Sequence, residues 1–181
     1  LVDKFRKTLF DENAIINKHV IGQSAQKIAG LAGVDIPDDT KIIVLEVTDF
    51  GMKEVLAKEK MCPCLSAYKY DKFENAVEIA RANLEREGKG HTVSVHSNDK
   101  QHIEYVAEEL CVSRFVVNQV CAIAGAGSYN NNLAPTNTLG CGSWGNNSIS
   151  ENLDYKHLMN VSRIAYFMKD AHIPSDEEVW G

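Results

Sequence analysis

Short runs rich in β-branched residues alternate with amphipathic helical patterns along the middle of the sequence, and this alternation limits the possible folds more than any other feature. The predicted strands cover residues 41–47, 65–70, 91–96 and 114–118. The intervening helices carry apolar stripes that include Phe73, Val77 and Leu84, or Ile103 and Val106. A strand–helix–strand order joins parallel strands through helical crossovers. The sequence therefore predicts an α/β fold with a mainly parallel sheet and flanking helices.

Local signals predict where several helices begin and end. Residues 1–10 form an amphipathic pattern typical of a helix. Ser24 is a preferred N-cap residue before a second helix, and Gly33 suits the left-handed position after it. Asp71 is predicted to cap the helix after the second strand, with Glu74 completing a capping box. These assignments depend only on residues that are close together in the sequence.

Length, charge and cysteine content narrow the class of protein. The 181 residues fit one domain or a large piece of one, and a net charge of −6 without clustered Lys or Arg disfavours nucleic acid or an anionic membrane as partner. No apolar stretch approaches the roughly 20 residues of a membrane helix. Leu1 opens an amphipathic pattern without a signal peptide, which indicates an interior start. Five cysteines, an odd number, favour a reduced, cytoplasmic setting.

The segment at residues 122–147 is rich in Gly, Asn, Ser and Thr and has little periodicity, which is typical of a functional loop. Within it, Gly140, Gly142 and Gly145 spell G-x-G-x-x-G. A dinucleotide-binding loop of that form needs a strand before it and a helix after it, and the flanking residues predict neither. A tight glycine loop with close backbone approach is the favoured interpretation, with a phosphate-binding loop as the alternative.

The cysteines do not form a recognisable metal site. Cys62 and Cys64 make a C-x-C pair, whereas zinc sites usually combine four ligands from C-x-x-C pairs. Cys111, Cys121 and Cys141 are scattered, so we expect no bound metal. Any of the five thiols is a candidate nucleophile, although a small buried hydrophobic residue is the simpler interpretation for each one.

His91 and Glu59 are candidate site residues that lie outside the glycine-rich segment and are not cysteines. His91 follows Gly90 and opens a predicted strand, and strand ends beside glycine turns are where open α/β sheets bind ligands. Position alone nevertheless favours a surface histidine. Glu59 lies just before a turn that contains Pro63, and on its own it is one of many surface carboxylates. Neither residue would be assigned a function from its local context.

Several longer segments together resemble one enzyme family. The most specific is LAPTNTLGCGSWGNNSISEN at residues 133–152, supported by VIGQSAQKIAGLA at 20–32, EKMCP at 59–63 and GHT at 90–92. These segments resemble the CoA-acylating branch of the aldehyde dehydrogenase superfamily. The similarity is strongest to CoA-dependent succinate-semialdehyde dehydrogenases and to the aldehyde-oxidising half of bifunctional aldehyde-alcohol dehydrogenases. It extends over nearly the whole sequence.

The resemblance implies a reaction and its cofactors. A cysteine thiolate attacks the aldehyde to give a thiohemiacetal, hydride passes to NAD or NADP, and the remaining thioacyl group is transferred to coenzyme A. Succinate semialdehyde with succinyl-CoA is the expected substrate pair. Acetaldehyde or another short-chain aldehyde is the alternative. A substrate carboxylate needs a cation nearby, and the sequence does not identify one, because Arg114 and Lys156 are equally well interpreted as solvated charges.

The resemblance also implies site residues. Glu59 matches the glutamate that hydrogen-bonds the nicotinamide ribose, although the residues around it differ from those of hydrolytic relatives. His91 matches the histidine of the GHT motif, which is expected to take a proton from the CoA thiol or to stabilise the thioester. The residues that match the glycine-rich loop near the substrate pocket are Pro135, Thr136, Leu139, Gly140, Cys141 and Gly142.

Two parts of the family pattern have no counterpart in the sequence. The family nucleophile is expected upstream of Leu1, and none of the five cysteines matches it. The N-terminal dinucleotide-binding domain is also missing, so the polypeptide alone is predicted to be inactive. Residues 1–168 are expected to be part of the catalytic domain, with a strand at about 157–167 that joins subunits of a homodimer or larger homo-oligomer. Residues 169–181 are expected to be a C-terminal tail. A non-catalytic oligomerisation module is the alternative.

Overall fold

The structure, a computed structural model, describes all of residues 1–181 and has an α/β architecture. Its helices are α1 (Val2–Leu9), α2 (Ala25–Ala32), α3 (Phe73–Glu87), α4 (Lys100–Glu109), α5 (Cys121–Ala124) and α6 (Asp176–Trp180). Its strands are β1 (Ile43–Glu46), β2 (Cys64–Ala67), β3 (Thr92–Val95) and β4 (Arg114–Val117). Short 3-10 helices lie at Gly51–Lys53, Val55–Ala57, Ser143–Gly145 and Tyr155–Leu158.

All strand pairing in the two sheets is parallel, which confirms the predicted fold class. β1 pairs with β2, and β3 pairs with β4. The four strands nevertheless form two separate two-stranded sheets instead of one continuous sheet. The sequence pattern predicts which segments are strands and which faces are buried, but it does not specify which strands are neighbours.

The first hydrophobic core joins α1 and α2 to the β1–β2 sheet. Phe5, Leu9 and Ile28 are almost fully buried, and they pack in one cluster with Leu45 and Leu56. β1 alternates between buried and exposed residues, as expected for a strand with one face on the core. The helix predicted at residues 1–10 is thus confirmed, and its apolar side anchors it to the sheet.

A partly buried ion pair fixes α1 to the 3-10 helix at residues 55–57. The Glu54 side chain is buried and accepts hydrogen bonds from Arg6 Nε at 2.9 Å and Nη2 at 2.6 Å, and from the Leu56 N–H at 2.9 Å. Burial alone would raise the pKa of Glu54, but the guanidinium and the N–H together hold it below its usual value. The ionised form of Glu54 is therefore the one that stabilises the fold.

The second core joins α3 and α4 to the β3–β4 sheet through Val77, Val95, Val106 and Leu110. The predicted start of α3 is wrong. The helix begins at Phe73, and the residue before it makes no side-chain cap, so neither Asp71 nor Glu74 forms a capping box. The Phe73 ring instead stacks on His102 of α4 with centroids 4.0 Å apart, a tertiary contact that local capping signals do not include.

Polar contacts from α3 connect the two cores. The Gly51 N–H donates to Asn83 Oδ1 at 2.8 Å, and Arg86 Nη1 donates to the Gly51 carbonyl at 2.9 Å. Gly51 has a φ of 56°, and a Cβ at this position would press against Ala82. We call the part of the chain around the first core the first unit and the part around the second core the second unit. Helix α3 therefore contacts the backbone of the first unit at a point where only glycine fits.

The ends of α2 agree with prediction. The Ser24 hydroxyl accepts from the Lys27 N–H, and Gly33 is left-handed with φ 62° and ψ 47°. Beyond residue 158 every residue is exposed, and residues 159–167 have no regular secondary structure in the single chain. His157 lies in a 3-10 helix, so the strand predicted at about 157–167 does not start there, and its pairing between subunits stays a prediction. None of the helices has the length and apolarity to cross a bilayer.

Candidate functional site

Glu59 and His91, which lie far apart in the sequence, line the same open cleft of about 470 Å³. One wall consists of residues 57–59, and the other consists of one face of α3 with the start of β3. The remaining lining residues are Ala57, Lys58, Ala80, Asn83, Leu84, Glu87, Gly88 and Val93. The structure thus brings together the two residues that the sequence comparison selected separately.

His91 is held at its backbone and at its ring by a single carbonyl. The Gly88 carbonyl accepts from the His91 N–H at 3.1 Å and lies 3.0 Å from ring Nδ1. A carbonyl can only accept a hydrogen bond, so Nδ1 carries the proton in the neutral ring. Nε2 is then left with its lone pair on an exposed side chain. This tautomer is the one that a proton acceptor facing the cleft requires.

Glu59 is fixed by its backbone, while its carboxylate is exposed on the cleft. Its N–H donates to Glu87 Oε2 at 2.9 Å, and Lys58 Nζ forms an ion pair with Glu87 Oε1 at 3.0 Å. Burial alone would raise the pKa of Glu87, but the Glu59 N–H and the Lys58 ammonium hold it below its usual value. The cleft therefore contains two carboxyl groups with different surroundings: that of Glu87 is hydrogen-bonded and ion-paired, and that of Glu59 is exposed.

The glycine-rich loop is a tight turn closed on itself. Asn147 Oδ1 accepts from the N–H groups of both Cys141 and Gly142, each at 3.0 Å. Gly140 has no space for a Cβ against the Ile149 backbone. The flanking elements are not a strand and a helix, and these two N–H groups are already engaged within the loop. The predicted tight glycine loop is confirmed, and the phosphate-binding alternative does not fit this arrangement.

The other predicted loop residues belong to the same folded unit. The Thr136 N–H donates to the Ala126 carbonyl at 2.9 Å, and Leu139 pairs with Asn152 across an antiparallel bridge. Pro135 is exposed beside Gly127. A separate cavity of about 200 Å³ lies against Leu139 and Gly140. The loop therefore does not line the cleft of Glu59 and His91.

Asn152 closes this loop from within, and sequence analysis did not single it out. Its side chain is buried, and Nδ2 donates to the Gly125 carbonyl at 3.1 Å and to the Ala134 carbonyl at 2.8 Å. It thereby ties Gly125, the residue after α5, to Ala134, the residue before the glycine-rich loop. One asparagine among many in this segment carries no local signal of that role.

Arg114 joins the glycine-rich loop to the segment that carries His91. Its Nη1 donates to the Gly140 carbonyl at 2.6 Å, its Nε to Thr92 Oγ1 at 2.9 Å, and its Nη2 to the Gly90 carbonyl at 3.4 Å. The interpretation of Arg114 as a solvated charge is wrong, because the residue is only 3% exposed. Its alternation with buried Val116 in β4 was the signal that could have revealed this.

Gly90 brings the same two segments into direct contact. It has a φ of 84°, and a Cβ on it would overlap the carbonyl and side chain of Cys141. Any larger residue would push the loop away from His91. The glycine of the GHT segment is thus required for close packing, and the predicted site residues form two adjacent groups that share this contact.

Comparison with known proteins identifies the family. No protein-family model matches the chain. It is 59% identical over 180 residues to the succinate-semialdehyde dehydrogenase (acetylating) of Clostridium kluyveri, covering 99% of this chain and 39% of that protein. It is 41% identical over 158 residues to the bifunctional aldehyde-alcohol dehydrogenase of Escherichia coli K12, covering 85% of this chain and 18% of that protein.

The fold matches as well. An acetylating aldehyde dehydrogenase from Geobacillus thermoglucosidasius superposes with a TM-score of 0.85 at 35% identity, over 95% of this chain and 38% of that chain. The chain belongs to the CoA-acylating aldehyde dehydrogenase family. This confirms the resemblance seen in the sequence. The chain spans less than two fifths of the length of these relatives, so it corresponds to part of a CoA-acylating aldehyde dehydrogenase.

The five thiols of this aldehyde dehydrogenase chain differ in environment. Cys64 and Cys141 are buried, Cys62 and Cys121 are partly buried, and Cys111 is exposed. Burial, together with the neighbouring Cys62, raises the pKa of Cys64 to about 12, and burial also raises the pKa of Cys121. Both shifts disfavour a reactive thiolate. His, Cys, Asp and Glu side chains nowhere form a group of three or more suited to a metal ion.

Proposed function

We propose that the chain forms part of the catalytic domain of an NAD(P)-dependent enzyme that converts an aldehyde and coenzyme A to acyl-CoA. Succinate semialdehyde and succinyl-CoA are the proposed substrate pair. The observation that carries the proposal is the shared cleft of Glu59 and His91, because the two residues serve successive half-reactions. One half-reaction oxidises the aldehyde and the other transfers the acyl group.

Glu59 has the features that a ribose-binding carboxylate needs. Its backbone is held while its carboxylate is exposed on the cleft, so both oxygens can accept hydrogen bonds from ribose hydroxyls. When bound, NAD(P)+ supplies the hydride acceptor. The role of Glu59 is to orient the nicotinamide ribose, and through it the ring, toward the aldehyde.

His91 is proposed to act in the second half-reaction. Nε2 takes the proton from the CoA thiol, and the resulting thiolate attacks the acyl carbon. Nδ1 keeps its hydrogen bond to the Gly88 carbonyl throughout, so the ring does not rotate, and the carbonyl stabilises the imidazolium that forms. The enzyme thiolate that leaves belongs to sequence upstream of Leu1 in this proposal.

The choice of succinate semialdehyde rests on the 59% identity to the Clostridium kluyveri protein. Acetaldehyde or another short-chain aldehyde is the second candidate, favoured by the similarity to acetylating and bifunctional enzymes. Lys58 and Arg114 are engaged within the chain. A cation that recognises the substrate carboxylate is therefore expected from the remainder of the protein.

The proposal has three further parts. The chain alone is inactive, because the nucleophile and the dinucleotide-binding domain lie in sequence that its relatives carry and this chain does not. The complete enzyme is a homodimer or larger homo-oligomer joined through residues near 157–167. It works in the cytoplasm. A misplacement of about 1 Å between the two parts of the site would cost on the order of a hundredfold in rate, so both parts have to be present in one assembly.

The test uses the complete enzyme, meaning this chain joined to the remaining length of its relatives, and the chain alone. NADH and NADPH oxidation is followed with succinyl-CoA, acetyl-CoA and propionyl-CoA. We expect turnover by the complete enzyme, fastest with succinyl-CoA, and none by the chain alone. His91→Gln should slow acyl transfer and Glu59→Gln should slow hydride transfer. His96→Gln is the matched control, because His96 lies beyond the far end of β3. Turnover by the chain alone, or full activity of the His91 variant, would refute the proposal.

A further inference from the structure

The last residue of α3, Glu87, and the residue after it, Gly88, contact the two proposed site residues. The Glu87 carboxylate accepts the Glu59 N–H, and the Gly88 carbonyl accepts the His91 ring. The first contact depends on a side chain and the second only on the backbone. We propose that Glu87 is a positioning residue that sets the place of Glu59, and hence of the nicotinamide ribose. This inference rests on the proposed function of Glu59.

Glu87 uses both carboxylate oxygens to hold one turn. Oε2 accepts the Glu59 N–H at 2.9 Å, and Oε1 pairs with Lys58 Nζ at 3.0 Å. Lys58 Nζ also donates to the Ala14 carbonyl at 2.9 Å. The turn at residues 58–59 is therefore tied to α3 on one side and to the segment after α1 on the other. The Glu59 carboxylate is left exposed on the cleft.

The exposure of Glu87 indicates that its contacts contribute little to the stability of the fold. Its side chain is about 35% exposed and Lys58 is about 24% exposed, so water screens their ion pair. Pairs of this kind contribute little to folding stability. Their effect on geometry is larger. Because Glu87 binds two successive residues, it fixes the backbone at Glu59 and therefore the direction in which the Glu59 side chain points. A site that orients a reacting ring is sensitive to displacements that hardly change stability.

Because the two contacts differ in kind, a substitution of Glu87 should affect the two half-reactions differently. His91 is bound by the Gly88 carbonyl, which no side-chain substitution at position 87 removes. Glu59 loses its only hydrogen bond to α3 when the Glu87 carboxylate is removed. Substitution of Glu87 should therefore slow the oxidation of the aldehyde and leave acyl transfer to CoA unchanged.

The experiment compares variants of the complete enzyme. Glu87→Ala removes the acceptor and the ion pair, Glu87→Gln keeps an acceptor oxygen, and Lys58→Met keeps Glu87 but removes its cation. Glu85→Gln is the matched control, a neutralised exposed glutamate on the same helix. The readouts are kcat/KM for NAD(P)+, the isotope effect with a 1-deuterated aldehyde, single-turnover acyl transfer to CoA, and the melting temperature.

For Glu87→Ala we expect kcat/KM for NAD(P)+ to fall on the order of tenfold or more, with a larger isotope effect. Acyl transfer and the melting temperature should match the parent. Glu87→Gln and Lys58→Met should show smaller losses, and Glu85→Gln none. Equal slowing of both half-reactions, or a lower melting temperature that accounts for the loss, would overturn the proposal in favour of a structural role.

A second comparison separates this inference from the proposed function. Glu59→Gln should impair hydride transfer, and adding Glu87→Ala to it should cause no further loss, because both act through the same carboxylate. If Glu59→Gln retains full activity, the proposed role of Glu59 is wrong and the inference falls with it. If Glu59→Gln is impaired while Glu87→Ala resembles the parent, the role of Glu59 stands and the inference about Glu87 is wrong.

Discussion

Replacement of Arg114 by methionine should loosen the glycine-rich loop from the segment that carries His91. The guanidinium donates two short hydrogen bonds, to Gly140 at 2.6 Å and to Thr92 at 2.9 Å. Hydrogen bonds from a charged donor contribute about 1.5–3 kcal/mol each, so their sum is about 3–6 kcal/mol. The contact to Gly90 at 3.4 Å adds little. Removing a buried charge also relieves its desolvation cost, so we expect the lower end, about 3 kcal/mol.

Methionine is the informative substitution because it fills most of the same space. The decrease in the free energy of unfolding is then caused by the carbonyl and hydroxyl groups that lose their hydrogen-bond donor, and not by a new cavity. Arg114→Lys replaces the planar guanidinium by a single ammonium group, which can keep one of the two hydrogen bonds. We therefore expect its free energy of unfolding to fall by about half as much, about 1.5 kcal/mol.

Urea unfolding followed by the fluorescence of Trp144 measures the effect. Trp144 lies in the loop beside Gly142 and is 50% exposed. The only other tryptophan, Trp180, is replaced by phenylalanine in every variant. With a urea dependence of about 2 kcal/mol per molar, Arg114→Met should lower the midpoint by about 1.5 M.

The matched control is Lys156→Met, which removes an exposed cation paired with Glu151. This control should leave the midpoint unchanged, because an exposed pair of this kind is screened by water. The role assigned to Arg114 is wrong if Arg114→Met unfolds at the urea midpoint of the parent. It is also wrong if Lys156→Met lowers the midpoint as much as Arg114→Met does.

Three further predictions concern other parts of the chain. The pKa of Glu54 is lowered in the folded state, so its contribution to stability is present above the usual glutamate pKa of about 4.3 and is lost as pH falls through the folded value. Glu54→Gln should therefore flatten the fall in urea midpoint with decreasing pH. Iodoacetamide at neutral pH should alkylate exposed Cys111 first and Cys64, whose pKa is about 12, among the last, as followed by peptide mass spectrometry. Gly90→Ala should destabilise by more than about 1 kcal/mol in thermal unfolding, whereas Gly30→Ala on the open surface of α2 should stabilise slightly.

Each of these predictions has a contrary outcome. Parallel pH profiles for the parent and the Glu54 variant would show that the carboxylate does not stabilise the fold. Early alkylation of Cys64 would contradict its burial. A neutral Gly90→Ala variant would mean that the loop does not press against this position in solution, and a destabilising Gly30→Ala variant would invalidate the comparison between the two glycines.

The parts of the fold that sequence predicted correctly are those decided by near neighbours. Ser24 and Gly33 end α2 as expected, because capping and left-handed turns depend on two to four adjacent residues. The alternation of β1 is equally local. At Asp71 the local signal failed: the helix begins at Phe73 without a side-chain cap, and the Phe73 ring makes a tertiary contact with a residue of α4 that no local pattern specifies.

The candidate site was only partly accessible from sequence for the same reason. Glu59 and His91 were selected by family resemblance, but no pattern indicated that they share a cleft. The contact between Glu59 and Glu87 joins residues 28 positions apart. Arg114 was misjudged because a charged side chain is normally solvated, and only the partners that fold around it make burial tolerable.

The separation of the apolar interior into two clusters has a consequence for motion. Residues 57–59 of the cleft belong to the first unit, and the face of α3 belongs to the second. The units meet through polar contacts, of Gly51 with Asn83 and Arg86 and of residues 58–59 with Glu87, without a shared apolar core. Opening at such a seam exposes little apolar surface, so amide hydrogens along it should exchange well before those inside either unit. We therefore expect thermal motion to change the width of the cleft more easily than the packing inside either unit.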